Sequence, residues 1–389
     1  MSSPFHVYLD LEVRNDDVTT SSKPPPLSFE ETRLQPFLKG DASDYFCTIA
    51  RFTLQTSNSI PVFIPEIDFS VTPSTATLLN PPYQTTIYKI TVKQNESSDP
   101  TKVRTVNLIY QPFDTTLQIP VSQQDATNPS NTYYHVHTYQ QLIDMVNNAL
   151  ILLFSTIQVA GSGHNSAPYM EWDPTSCTAT LSADQFYFDL RSGSITTKWE
   201  IYFNTRLYEL FNTLPATMVN AGGDLNYRLN MYGNPGNTVL LSTKDSSGNP
   251  MYNVAISQEI STISNMSPLD SIVFTSTSLP ILPQQSTLPK VISSRDRVVS
   301  GNGLPNITKV LTAFQIALSA NNHYKPEISY VPAGEYRLID MYANSDLRRI
   351  DLQVYWKDRK GVLYPLLLYP GCTASVKFLF RHRRFYLGD

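Results

Sequence analysis

Two histidines separated by one residue, His135 and His137, are the chain's nearest approach to a metal pair. Residues two apart on a strand share a face, so such a pair presents both imidazoles to one side. A metal needs at least a third protein ligand, and none follows at suitable spacing. With Tyr133 and Tyr134 beside them, the two are read as strand histidines. Gly161-Ser162-Gly163-His164 has glycines around a serine, but no strand runs directly into it and no helix directly out, as a nucleophile elbow requires. Gly301-x-Gly303 lacks the third glycine and the βαβ context of a dinucleotide loop. Asp340, Asp346, Asp351 and Asp358 could furnish the carboxylate pair of a glycosidase, yet spacing alone brings no two together, and surface solvation is the expected role. Catalytic, cofactor-binding and metal residues are therefore assigned to none. What remains is a basic run, Lys377, Arg381, His382, Arg383 and Arg384, interleaved with Phe378, Phe380 and Phe385. Such a run binds phosphate or pairs with an acidic neighbouring subunit.

The elements that carry these residues are mostly strands. Ile350, Leu352, Val354 and Trp356 alternate with Asp351, Gln353 and Tyr355, the pattern of a half-buried strand. Val362 to Tyr369 and Ala374 to Phe380 follow after turns at Asp358-Arg359-Lys360-Gly361 and Pro370-Gly371. The chain opens in the same way, with Phe5, Val7, Leu9, Leu11 and Val13 on one face, so Phe5–Val13 is expected to pair antiparallel with a strand near Thr373–Phe380. Tyr45 to Leu54 is a further strand, and Ser59 to Pro65, with its prolines, suits an edge or a strand exit. Val18 to Asp44, with Lys23-Pro24-Pro25-Pro26, reads as an ordered arm that contacts a neighbour.

The middle of the chain adds strand candidates at Thr86–Lys93, Val103–Tyr110, Gln185–Leu190, Asn226–Met231 and Tyr252–Ser257. It also holds a helix capped by Thr138, with Gln141 three residues on, and an apolar stripe of Leu142, Met145, Val146, Ala149, Leu150, Leu153 and Ile157. A shorter helix follows Asn204, with Leu207, Leu210 and Phe211 inward. After it, strands are expected at Ser271–Leu279, Thr308–Ala317 and Glu335–Met341. The layout is mostly β: an eight-stranded sandwich from residues 1–67 and 267–389, interrupted at 68–266 by a β-rich domain with two covering helices.

Composition narrows the function classes. Charged residues make up 16% of 389, below the roughly 25% of soluble domains. Ser, Thr, Asn and Gln replace them, with 23 Tyr and 28 Pro, a balance suited to β proteins whose surfaces are covered by neighbours. A net charge of −4 gives no general nucleic-acid footprint. Cys47, Cys177 and Cys372 are odd in number and far apart, which favours a reducing compartment over a disulfide framework. The first residues lack a signal-peptide pattern, and no apolar run approaches the ~20 residues of a membrane span.

Several local patterns coincide with a known family. Asp44-Tyr45 leading to Ile49-Ala50-Arg51-Phe52, Ile60-Pro61-Val62-Phe63-Ile64-Pro65, and Tyr139-Gln140-Gln141-Leu142-Ile143-Asp144-Met145-Val146-Asn147 are three of them. Tyr202-Phe203-Asn204, Ser267-Pro268-Leu269-Asp270-Ser271-Ile272-Val273-Phe274, Glu335-Tyr336-Arg337 and Val354-Tyr355-Trp356-Lys357-Asp358 continue the series. Across nearly its whole length the sequence resembles the penton, or minor capsid, proteins of virophages, polinton-like viruses and adintoviruses. The resemblance implies a single jelly roll interrupted by an outward-facing β domain, and a homopentamer at each icosahedral vertex of a double-stranded DNA virus, assembled in host cytoplasm or nucleus. It implies a double-jelly-roll major capsid protein as neighbour, with no enzyme activity and no cofactor. Lys23, Pro24, Pro25, Pro26, Arg381, Arg383 and Arg384 are then the candidate assembly contacts, the basic end touching neighbouring subunits or genome. The rival reading is a receptor- or carbohydrate-binding β-sandwich of fibre or lectin type, and a jelly-roll glycoside hydrolase comes third.

Overall fold

The computed structural model describes residues 6–16, 24–55, 60–68, 70, 84–111, 134–158, 163–191, 198–220, 223–232, 238–244, 248–282, 284–286, 306–315, 327–332, 338–359, 361 and 363–386. The chain opens with β1 (His6–Arg14), β2 (Ser28–Thr32) and β3 (Tyr45–Gln55). It continues through β4 (Gln84–Gln94), β5 (Val103–Tyr110), α1 (Tyr139–Ser155), β6 (Tyr169–Asp173), β7 (Thr178–Asp184), α2 (Gln185–Phe188) and β8 (Trp199–Phe203). Next come α3 (Thr205–Leu210), β9 (Ala216–Met218), β10 (Tyr227–Leu229), β11 (Thr238–Lys244), β12 (Pro250–Ser257) and α4 (Ile263–Met266). The chain closes with β13 (Leu269–Thr275), β14 (Gln284–Ser286), β15 (Asn306–Thr308), β16 (Val310–Phe314) and β17 (Glu327–Tyr330), then β18 (Ile339–Asp340), β19 (Arg349–Asp358), β20 (Leu363–Pro365) and β21 (Thr373–His382). These elements cluster into two compact units, one of Met1–Ile60, Pro268–Ala317 and Tyr324–Asp389, the other of Pro61–Ser267 and Leu318–His323.

The first unit is a sandwich of two antiparallel sheets. One has the strand order β1-β21-β3-β17, with β18 also on β3; the other has β16-β13-β19-β2, with β20 on β19. Among its eight principal strands every connection but β13 to β16 crosses between sheets, the connectivity of a jelly roll. The expected pairing of the two chain ends holds, with His6 opposite Arg381 and Arg14 opposite Thr373.

Period-two alternation fills the space between the sheets. Ile350, Leu352, Val354 and Trp356 of β19 face Ala374, Val376, Phe378 and Phe380 of β21, and all are buried. A register shift between Lys377 and Phe378 pairs Arg51 and Ile49 with them, leaving Ala50 as the extra residue of a bulge. The bulge resets the alternation, so Cys47 and Ile49 before it and Phe52 and Leu54 after it all reach the core. Phe52 then meets Phe274 edge-on at 4.9 Å, and Phe314 stacks on Tyr330 at 4.2 Å, joining the sheets through offset aromatic contacts.

Three expectations need correction. The proposed arm contains β2, whose Phe29 is fully buried and which pairs with β19 from Ser28 opposite Gln353 to Thr32 opposite Arg349. Its short alternation was hidden behind three prolines. Gln185–Leu190 begins as a helical turn because the Asp184 carboxylate accepts the Phe186 N–H at 2.8 Å and caps it. In place of a strand at Glu335–Met341, the described part has only the two residues of β18, and β17 fills the sheet position beside β3.

The second unit holds a sheet of order β5-β4-β8-β10-β9 and a sheet of order β11-β12-β7-β6. Helix α1 packs on β5 and β6 with Leu142, Ile143, Met145, Val146, Ala149, Leu150, Leu153 and Phe154 inward. Its predicted cap is present: Thr138 Oγ1 accepts the Gln141 N–H at 3.1 Å, while Gln141 Oε1 accepts the N–H of His137 at 3.0 Å. Asn204 caps α3 as expected, accepting the Leu207 N–H at 3.1 Å and tying the turn to β4 through Nδ2 to Ile87 O at 2.8 Å.

Candidate assembly surface

The proline segment and the basic end are the residues singled out for contact with neighbours. Lys23 lies outside the described residues. Pro24 is half-buried, while Pro25 and Pro26 are exposed at the side chain yet zipped at the backbone to residues 366–368. Pro25 O accepts the Leu368 N–H at 2.9 Å, Pro26 forms a bridge with Leu367, and Leu27 N–H donates to Leu366 O at 2.6 Å. Asn15 fixes the same loop, its Nδ2 donating to Leu368 O at 2.7 Å. The segment is thus bound along its own subunit and presents proline rings outward.

The basic residues divide by burial. Arg381 is only 5% exposed, in the ladder between His6 and Phe46. Arg383 is half-buried: its guanidinium lies 2.8 Å from Asp340 and 4.7 Å above the Phe46 ring, and donates to Met341 O at 3.2 Å. Arg384 alone of the three is exposed. His382 packs edge-on against Tyr45 at 4.9 Å. Sequence alone could not sort these, because Arg381 follows buried Phe380 out of phase with the alternation of β21, on the face where Lys377 and Leu379 are only half-buried. In unit 1, Gln55 and Leu269, where the chain leaves and re-enters the sandwich, sit at the strand ends opposite those carrying Tyr45 and His382.

A second charged group lies on the outer face of β1, β21 and β3. Lys377 approaches Asp10 at 3.3 Å and the Tyr8 ring at 5.9 Å, and Arg51 approaches Asp10 at 3.8 Å. Tyr8 is 60% exposed there. The edge strand β1 therefore carries both an aromatic side chain and charge, features that discourage indiscriminate pairing and give a directional contact surface.

The residues weighed for chemistry take other roles. His135 and His137 place their ring centroids 6.0 Å apart, and burial pushes their imidazoles down to about 3 and about 4, His137 adding to the effect on His135. Among the described residues no group of three or more His, Cys, Asp or Glu is placed to hold a metal ion. Gly161 and Ser162, like Gly301 and Gly303, lie outside the described residues; His164 binds Asp184 through Nδ1 at 2.9 Å and stacks on Phe186. Asp340 and Asp346 pair with Arg383 and Arg348. Asp351, expected to be solvated, is buried and accepts hydrogen bonds from Ser276, Thr277 and Ser278. Asp358 lies seven residues further along β19, about 23 Å away and beyond the spacing of a glycosidase pair. Cys47, Cys177 and Cys372 are buried, and burial pushes the Cys47 thiol up to about 12, so it stays protonated. Among the described residues no helix is long and apolar enough to cross a membrane.

A two-sheet sandwich with this connectivity is an architecture that viral capsid proteins share with lectins and cupins. The family model for Sputnik minor capsid protein V18/19 matches residues 7–382, and the chain belongs to that family. Its members are structural, so the protein is a minor capsid protein of the virion and not an enzyme; the receptor- or carbohydrate-binding reading is not favoured. Structural protein V19 of Sputnik virophage is 25% identical over 213 residues, spanning 54% of this chain and 91% of that one. A chain of the Sputnik virophage cryo-EM structure superposes with a TM-score of 0.71 at 24% identity, covering 98% of this chain and 99% of that one. The mavirus penton protein crystal structure gives 0.58 at 14% identity, covering 97% and 99%.

Proposed function

We propose that this minor capsid protein is a penton subunit, forming homopentamers at the icosahedral vertices of a double-stranded DNA virus. The observation that carries the reading is the family match, which runs through both units from residue 7 to residue 382. The likeness to a protein named as a penton supports it. In this reading residues 68–266 form the outward-facing domain. The end of the sandwich that carries Tyr45, His382 and Arg383 is its base, facing a double-jelly-roll major capsid protein or the genome. Arg384 supplies the free charge there, Arg383 is held by Asp340, and Pro24, Pro25 and Pro26 offer rigid apolar contact at low entropic cost. Arg381 acts indirectly, by completing the sheet that positions its neighbours. Assembly then takes place in the host cytoplasm or nucleus.

Mass photometry and class-averaged electron microscopy of the purified chain test this. Rings of fivefold symmetry with about five times the 43.8 kDa chain mass support it. A stable trimer, or a monomer that never enters capsids when co-expressed with the major capsid protein, overturns it.

A further inference from the structure

The histidine pair left without a metal role sits at a mechanical junction of the second unit. Val136, between the two imidazoles, is fully buried and forms a bridge with Phe63: its carbonyl accepts the N–H groups of Val62 (2.8 Å) and Phe63 (3.3 Å), and its N–H donates to Phe63 O at 2.9 Å. The segment is fixed on either side. Tyr110 Oη donates to the carbonyl of His135 at 3.3 Å, and the His137 N–H donates to Gln141 Oε1. Val62–Phe63 begins the run of chain that enters this unit, so this bridge holds that run to the cap of α1.

We propose that His135-Val136-His137 is an acid-released latch, which holds Val62–Phe63 while both imidazoles are neutral and lets it go when they are protonated. Three geometric facts make the protonated latch unfavourable. The rings stand 6.0 Å apart, so two charges repel at short range. Both precede Thr138, the N-cap of the 17-residue helix α1, whose positive end opposes a cation. His137 Nδ1 is enclosed and meets no hydrogen-bond partner among the described residues, so a proton added there remains unsatisfied.

The ionisable groups around the latch do not compensate. Tyr110 on β5, Tyr134 just ahead of the pair and Tyr88 on β4 are phenols that burial pushes up, so they stay neutral below pH 8. Glu66 lies beyond Phe63, its N–H accepted by the Tyr88 hydroxyl oxygen. Asp144 on α1 is exposed and accepts from Gln140.

The sign follows from linkage. A released histidine titrates near 6.5, whereas the latched ones are held well below that, so the open state binds more protons once pH falls under about 6.5. Each imidazole then favours opening by at most about tenfold per pH unit, and the pair by about 250-fold between pH 6.5 and pH 5.

Hydrogen–deuterium exchange of the full chain at pH 7.5, 6.5, 5.5 and 5.0, corrected for intrinsic rates, reads the latch at peptides covering 60–68 and 134–142. Protection in both is expected to fall together by about 100-fold or more between pH 6.5 and pH 5, while the β21 peptide 375–381 keeps its protection. His135→Gln and His137→Asn should each remove about half of the logarithmic slope. Equal protection at all pH values overturns the latch, as does equal loss in β21, which signals global unfolding. A slope unchanged in either folded variant also overturns it. If the variants do not fold, the wild-type slope decides: one decade or more per pH unit supports the latch, and less overturns it.

Discussion

Ser278 and Asp351 are joined three times. The Ser278 N–H (2.7 Å) and hydroxyl (2.5 Å) both reach Asp351 Oδ1, and the Asp351 N–H donates back to Ser278 Oγ at 3.0 Å. Thr277 adds its N–H and hydroxyl to Oδ2 at 3.0 and 2.6 Å, and the Ser276 hydroxyl adds a further bond to Oδ1 at 2.7 Å. One strand carboxylate thus anchors the whole turn that leaves β13. Burial alone raises such a carboxyl, but the hydrogen bonds from Ser278, Thr277 and Ser276 outweigh it and hold Asp351 well below the usual carboxylate range.

Asp351→Asn should therefore destabilise the sandwich by about 3 kcal/mol at pH 7, because an amide accepts at only one atom and brings an N–H against donors. The folded carboxyl is depressed, so its contribution is full above the unfolded value near 4 and is lost as pH falls through the lower folded value. Urea unfolding at pH 7 and pH 3 should show the difference between wild type and variant shrinking in acid. A constant difference would mean that packing, and not charge, is lost.

The basic end should separate into folding and assembly roles. Arg381→Ser empties a buried ladder position and should cost about 2 kcal/mol or more in monomer stability. Arg383→Ser removes a part-exposed ion pair and a cation–ring contact, about 1 kcal/mol together. Arg384→Ser should stay within about 0.5 kcal/mol of wild type yet reduce vertex occupancy in particles formed at low salt. Normal occupancy of the Arg384 variant would make that residue a solvated terminus.

Leu150→Ala should cost about 2–5 kcal/mol, since Leu150 is 1% exposed in the core of the second unit and the cavity left there cannot fully collapse. The aromatic set Phe52, Phe274, Phe314 and Tyr330 belongs to the other unit and includes none of that core. Differential scanning calorimetry should then show one transition shifted and the other unmoved.

How much of this could be read from sequence depends on the length of the pattern. Strand β19 shows four core residues at period two, and α1 shows a cap followed by a stripe over four turns; both were legible because each signal repeats. The pairing of β1 with β21 followed from two matching alternations. Strand β2 was missed because its five residues offer only Phe29 as a core position behind a proline run, and β17 because Glu327–Tyr330 offers only Tyr330. The role of Asp351 was illegible for a different reason: its donors lie 73 to 75 positions away and come together only when β13 pairs with β19.

The pair Glu200–Arg228 tests how the second unit tolerates buried charge. Arg228 Nη1 lies 3.0 Å from Glu200 Oε1 and the Tyr202 hydroxyl donates to Oε2 at 2.6 Å, on neighbouring strands β8 and β10. The Glu200 side chain is only 4% exposed, so it depends on these partners for what water would otherwise supply. Burial and the adjacent carboxylate push the Tyr202 phenol up, which keeps it a donor at all moderate pH values. Arg228→Met should cost about 3 kcal/mol at pH 7, whereas adding Glu200→Gln to it should recover most of the loss, because the stranded charge is then gone. Urea unfolding of both variants checks this: a deficit that persists undiminished in the double variant would locate the loss in the packing of the Arg228 stem and not in the fate of the charge.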